Sequence, residues 1–231
     1  MSQDRQETKE KLLDAAECLF ARRGFDEVSV RELATEAGVN VAAVNYHFQT
    51  KENLFREVIA RRFVHQRDTT LNALNRYLEK TGSGHGLAPV IHILAEQYLR
   101  GSLGTTGSSA FMMLVARELH TTRTHGSMTF FREMVQPVFH TFAMAIRSCR
   151  PQMSDEDIAF FMASVVGQIH HFIVRWHKIQ TLGPDSPEGK MMIAMFPVLG
   201  RSLDSYITEV SDHITRFSTA AADSLYPEVA E

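Results

Sequence analysis

The chain has 231 residues, 44% of them hydrophobic, which is enough to bury a sizeable core in one or two domains. Its formal charge is −3, and residues 1–60 carry eight Lys and Arg against eleven Asp and Glu, which excludes attachment to nucleic acid by bulk positive charge alone. No apolar run approaches the ~20 residues that span a bilayer. The opening Met-Ser-Gln-Asp-Arg-Gln-Glu is too polar for a signal peptide, and Cys18 and Cys149 stand far apart without CxxC spacing. A cytoplasmic protein with free thiols and no membrane partner is expected.

In chain order, Lys9 to Arg23 carries Leu12, Ala16, Leu19 and Phe20 on one helical stripe, with Gly24 as the stop. Ser29 with Glu32 three residues later is a capping box that opens a short helix with Leu33, Ala34 and Ala37 on its apolar face. Gly38 permits the chain to reverse, and Asn40 caps a second helix of about two turns. There Val41 and Val44 are expected to face inward, and Ala42, Ala43, Asn45 and Tyr46 outward. Helix, glycine turn and helix make the pattern of a helix-turn-helix, whose second helix enters the DNA major groove. Lys51 to about Lys80 then reads as one long helix, broken at Gly82-Ser83-Gly84-His85-Gly86. Helices are expected over 87–103, 108–122, 127–150 with a kink at Pro137, and about 154–181. After the stop at Gly183-Pro184-Asp185-Ser186-Pro187, a last long helix is expected from Glu188 to about Phe217. The fold class is all-α. A three-helix DNA-binding domain over residues 1–60 is followed by a larger helical ligand-binding and dimerisation domain over 61–220 and a tail over 221–231.

The run Asn45-Tyr46-His47-Phe48, then Thr50-Lys51-Glu52-Asn53-Leu54-Phe55, resembles the end of the recognition helix and the start of the fourth helix in TetR-family transcriptional regulators. The block Leu12 to Phe25 is similar to that family's first helix. Many members carry Tyr where this chain has Asn45. Val39 to Phe48, with Arg117-Glu118-Leu119 and Arg132-Glu133-Met134-Val135-Gln136-Pro137, is most similar to the CecR-like branch.

Residue chemistry assigns the DNA contacts. Arg31 can reach a guanine edge or a phosphate, and Ala42 and Ala43 are small enough to bring the helix close to base edges and thymine methyls, with Val41 at the helix start counted among the candidate contacts. An outward Asn45 amide can bind adenine at two atoms. Tyr46, His47, Thr50 and Lys51 occupy positions that resemble the family's phosphate-binding segment, with packing of the helix as the lesser alternative for Tyr46 and His47, while for Asn45 a solvated, cap-like role weighs nearly as much as base reading. The expected partner is double-stranded operator DNA.

The resemblance also implies a small apolar or amphipathic effector bound among residues 87–182, where Met and aromatic side chains concentrate. Met113, Arg117, Phe131, Met134, Gln168 and His171 are the candidates, against a reading as plain core. A homodimer is expected through Phe161, Val165 and Gly167 on one helix and Met195, Leu199 and Leu203 on the next. His170, His171, His177 and His140 lack the i, i+4 spacing of a zinc set, so no metal or cofactor is expected. No GxSxG, phosphate loop or HExxH stands in the sequence, so an enzyme is not expected. The competing functions are a helical ligand carrier without DNA binding and an activator.

Overall fold

The computed structural model describes residues 2–103, 132 and 135–227. Its described residues are helical, with no strand among them. The helices are α1 (Ser2–Arg23), α2 (Val30–Glu36), α3 (Val41–Phe48), α4 (Lys51–Thr81), α5 (Leu87–Leu103), α6 (Gln136–Cys149), α7 (Asp155–Leu182), α8 (Pro187–Met195) and α9 (Leu203–Leu225). Residues 1–65 belong to one compact unit, and residues 66–105 and 137–231 form another.

The first unit closes around Leu12, Ala16, Phe20, Leu33, Val44, Phe48, Leu54 and Val58, all buried. Phe20, Phe25 and Phe55 meet edge-on or tilted with ring centroids 5.0–5.6 Å apart, the geometry aromatic quadrupoles favour. Gly24 at φ 86° ends α1 where a Cβ would be strained. α1 starts at Ser2, two turns before the expected Lys9. The buried Glu17 is paired with Arg61 at 2.8 Å, so its charge is not left bare in the core.

In the second unit α9 packs on α5 and α7. Ser154 and Asp157 form the capping box that opens α7. The inner stripe Ile158, Met162, Val165, Ile169, Ile173, Trp176 and Ile179 is buried. Tyr206 of α9 is fully buried, its ring 4.5 Å from Trp176, and its hydroxyl donates to the Phe172 carbonyl at 2.7 Å. Burial raises the Tyr206 pKa above the phenol range. By length and composition α7 could cross a membrane, contrary to the expectation that no segment approaches that measure.

The expected single helix from Glu188 to Phe217 is two helices. Pro197 has no N–H to continue α8 and moves Phe196 out of the helical region (φ −133°, ψ 79°). A 3₁₀ turn over Pro197–Gly200 follows, and Ser202 accepts from Ser205 N at 3.3 Å to start α9 afresh. α9 carries on to Leu225, so residues 221–225 of the expected tail are helical. The expected helix over 108–122 and most of the stretch before α6 in the one over 127–150 lie outside the described residues; Pro137 is the second residue of α6.

Candidate nucleic-acid interface

Ser29 and Glu32 satisfy each other's backbone amides at the start of α2, and Arg23 pairs with the Glu32 carboxylate at 2.6 Å. The Arg23 guanidinium, with the amide and hydroxyl of Ser29, holds the Glu32 pKa down to about 2. Gly38 at φ 65° makes the turn, with Val39 N bonded to Ala34 O at 2.9 Å. Asn40 Oδ1 then accepts from Ala42 N at 2.8 Å and starts α3 in a new direction.

α3 is anchored by Val44 and Phe48, both buried. Its outer face presents Ala42, Asn45 and Tyr46, the last 63% exposed, with Ala43 half-buried beside them. Val41 was expected inward and is instead 38% exposed. As the first residue of an eight-residue helix it precedes the turn that Val44 and Phe48 hold in the core. Arg31 is exposed on the first turn of α2.

Three of the expected contacts have structural duties. Lys51 donates to Phe25 O at 2.8 Å and Val28 O at 3.0 Å, and its ammonium lies 4.1 Å from the Phe25 ring centroid. Expected on phosphate, it ties the loop between α1 and α2 to the start of α4. Thr50 accepts from Asn53 N at 3.1 Å, capping α4, while Asn53 Nδ2 donates to Phe48 O at 2.8 Å and closes the end of α3. His47 is half-buried and edge-on to Tyr46 at 5.2 Å. Burial, then the charges of Arg5 and Lys9, lower its pKa against the opposing pull of Glu57. Arg5 was missed by sequence reasoning: its guanidinium sits 4.9 Å above the Tyr46 ring.

Of the expected effector residues, Met113, Arg117, Phe131 and Met134 lie outside the described residues. Gln168 is engaged between α7 and α9, its amide donating to Ser218 Oγ at 3.3 Å. His171 is exposed. Neither lines the open cleft of about 650 Å³ bordered by Phe172, Val198, Glu209, Asp212, His213 and Arg216. The expected dimer residues also divide. Val165 is buried and Leu199 is 4% exposed within one subunit, so they build its core, and Phe161 and Leu203 are half-buried. Met195 and Gly167 are exposed. The outward apolar face of α7 is carried by Phe160 (66% exposed), Ala163, Gly167 and Val174 (49% exposed).

A capped helix, a glycine turn and a second helix with a bare, small-residue outer face define a helix-turn-helix protein. Two family profiles match the chain: "Bacterial regulatory proteins, tetR family" over residues 12–58 and "Tetracyclin repressor-like, C-terminal domain" over residues 92–197. The chain belongs to the TetR family of bacterial regulatory proteins. It is 32% identical over 91 residues to the HTH-type transcriptional regulator YttP of Bacillus subtilis, covering 39% of this chain and 44% of that protein. It is 37% identical over 67 residues to the HTH-type transcriptional repressor BepR of Brucella suis, covering 29% and 32%. These matches therefore span less than half the length of either relative. A Clostridium perfringens protein described as a fatty acid metabolism regulator shares the fold, with TM-score 0.63 at 16% identity over 96% of this chain and all of that one. The family and these relatives are regulators, not enzymes.

Proposed function

We propose that two copies of this chain bind a pseudo-palindromic operator, each placing α3 in the major groove, and that the bound dimer represses transcription. The outer face of α3 carries this reading: Ala42, Ala43, Asn45 and Tyr46 face away from a domain that Val44 and Phe48 hold rigid. Ala42, Ala43 and Val41 allow close approach and touch thymine methyls, Asn45 reads an adenine edge, and Arg31 supplies a guanine or phosphate contact. Tyr46 and His47 lie against the sugar-phosphate backbone. A short helix reads only a few base pairs, so a two-fold partner is needed for two half-sites about one helical turn apart. The exposed stripe Phe160, Ala163, Gly167 and Val174 supports dimerisation through α7, because large apolar side chains in a row on a surface favour a partner, and its small residues permit close packing.

A small apolar or amphipathic effector, held by the helical domain beyond residue 60, changes the spacing of the two reading helices by preferring one spacing over the other. Met113, Arg117, Phe131 and Met134 remain its candidate contacts. The run Val39 to Phe48 favours the CecR-like branch. An operator-binding protein works in the cytoplasm, beside the chromosome. Selection of bound duplexes from a random pool tests the reading. An inverted repeat should emerge, and a pool with no enriched motif would refute it.

A further inference from the structure

The cations of the first unit are largely spoken for. Lys9 pairs with Glu57 at 2.6 Å, Lys11 with Glu7 at 2.7 Å and Arg23 with Glu32 at 2.6 Å, while Lys51 is held by backbone carbonyls. Arg56 donates to Asn53. Arg5 has no ion-pair partner among the described residues, although Asp4, Glu7 and Glu10 are close to it along α1. Glu7 is occupied by Lys11, and Glu10 accepts from Gln6 at 2.9 Å. The exposed guanidinium of Arg5 lies instead over the face of Tyr46, on the outer side of α3.

That placement has a chemical consequence. A guanidinium held over the face of a ring by cation–π attraction is restrained before any ligand arrives. A planar fork of this kind matches two oxygens of one phosphate. From this geometry we infer that Arg5, preorganised by Tyr46, clamps a backbone phosphate of the bound duplex and extends each half-site contact from α3 to the first turns of α1. The clamp rests on the proposed DNA-binding function. It positions the reading helix and carries no base preference of its own.

The test is the salt dependence of binding, measured by fluorescence anisotropy on the selected operator and on a scrambled duplex from 50 to 200 mM KCl. Removing one phosphate partner from each half of a dimer makes the slope of log K against log salt shallower by about 1.8. The affinity ratio of wild type to Arg5→Gln should therefore shrink about twelvefold across that range. The loss should be the same on both duplexes, and Arg5→Lys should restore the slope, since charge alone sets it. Arg5 is exposed, so Arg5→Gln should melt at the wild-type temperature; a lowered melt with an unchanged slope would make the stack structural and overturn the clamp. A wild-type slope in Arg5→Gln, or a loss confined to the operator, would overturn it as well. Wild-type protein that binds neither duplex would overturn the DNA-binding function itself, an outcome distinct from the others because it appears before any substitution.

Discussion

Replacing Lys51 with Met separates two roles the same ammonium could play. The side chain donates to Phe25 O and Val28 O and lies over the Phe25 ring, so the substitution removes two charge-assisted hydrogen bonds and a cation–π contact. Hydrogen bonds to charged groups are worth about 1.5–3 kcal/mol each, and an exposed cation–π contact about 0.5–1 kcal/mol. Lys51 is only half-buried, so water can take over part of the two carbonyls' bonding and the lower end applies. Met keeps the aliphatic packing, so no cavity adds to a net loss of about 3.5 kcal/mol. For a chain of this size that lowers the melting temperature by about 7–14 °C. Circular dichroism reads the melt, and anisotropy at several salt concentrations reads DNA binding below it. The salt slope should stay at the wild-type value. A variant that melts like wild type but shows a slope shallower by about 1.8 would return Lys51 to the phosphates, and the reasoning would be wrong.

Asn45→Ala should relax preference at one base pair of each half-site, costing about 1–3 kcal/mol on the cognate sequence and little on scrambled DNA, as competition binding will show. Phe160→Glu with Val174→Glu should give folded monomers by light scattering, because both side chains are exposed in one subunit, and operator affinity should fall by about 10²-fold or more; a dimer that persists would remove α7 from the interface. Leu199→Glu, by contrast, should unfold the subunit, since Leu199 lies in its core. Burial lowers the His177 pKa, outweighing the Ser102 backbone. The unfolded chain therefore takes up this proton first, so the His177 contribution is complete above about pH 6.5 and is lost as pH falls through the lower folded-state value. A His177→Gln variant should melt with a flatter pH profile below about pH 6.5, and an unchanged profile would count against the buried imidazole.

The signals that survive translation from sequence to structure are local ones. Ser29 with Glu32, Asn40 and Gly38 each act within four residues, and each does in the structure what its chemistry prescribes. The break at Pro197 is equally local, with Gly200 and Ser202 beside it, but a misleading periodicity overrides it. Met192, Met195, Phe196, Leu199 and Leu203 keep helical spacing across a proline at which this helix ends. The structural role of Lys51 is hidden for a different reason. Its partners stand 23 and 26 residues away, and they are backbone carbonyls, which carry no side-chain signature to read. Arg5 is hidden because the polar start of α1 has no apolar stripe, so the helix is expected to begin at Lys9 and the cation falls outside it.

Net charge is a poor guide to this surface because it says nothing of where the charges stand. Residues 1–60 are acidic in sum, and Glu7, Glu32 and Glu57 are each paired with a cation while Glu17 is buried against Arg61. Such pairs cancel at short range and project little field beyond a Debye length. On the proposed reading, a duplex near α3 would meet Arg5 over Tyr46 on one side and Arg31 at the start of α2. With the first unit acidic in sum, long-range steering is weak, so on-rates should be modest and binding should depend on the fit of Asn45 and the alanines to base edges. A regulator built this way loses little to non-specific DNA, because the term common to all sequences is small. On the proposed reading its discrimination would rest on α3, whose orientation is set by the Gly38 turn and the Val44 and Phe48 anchors.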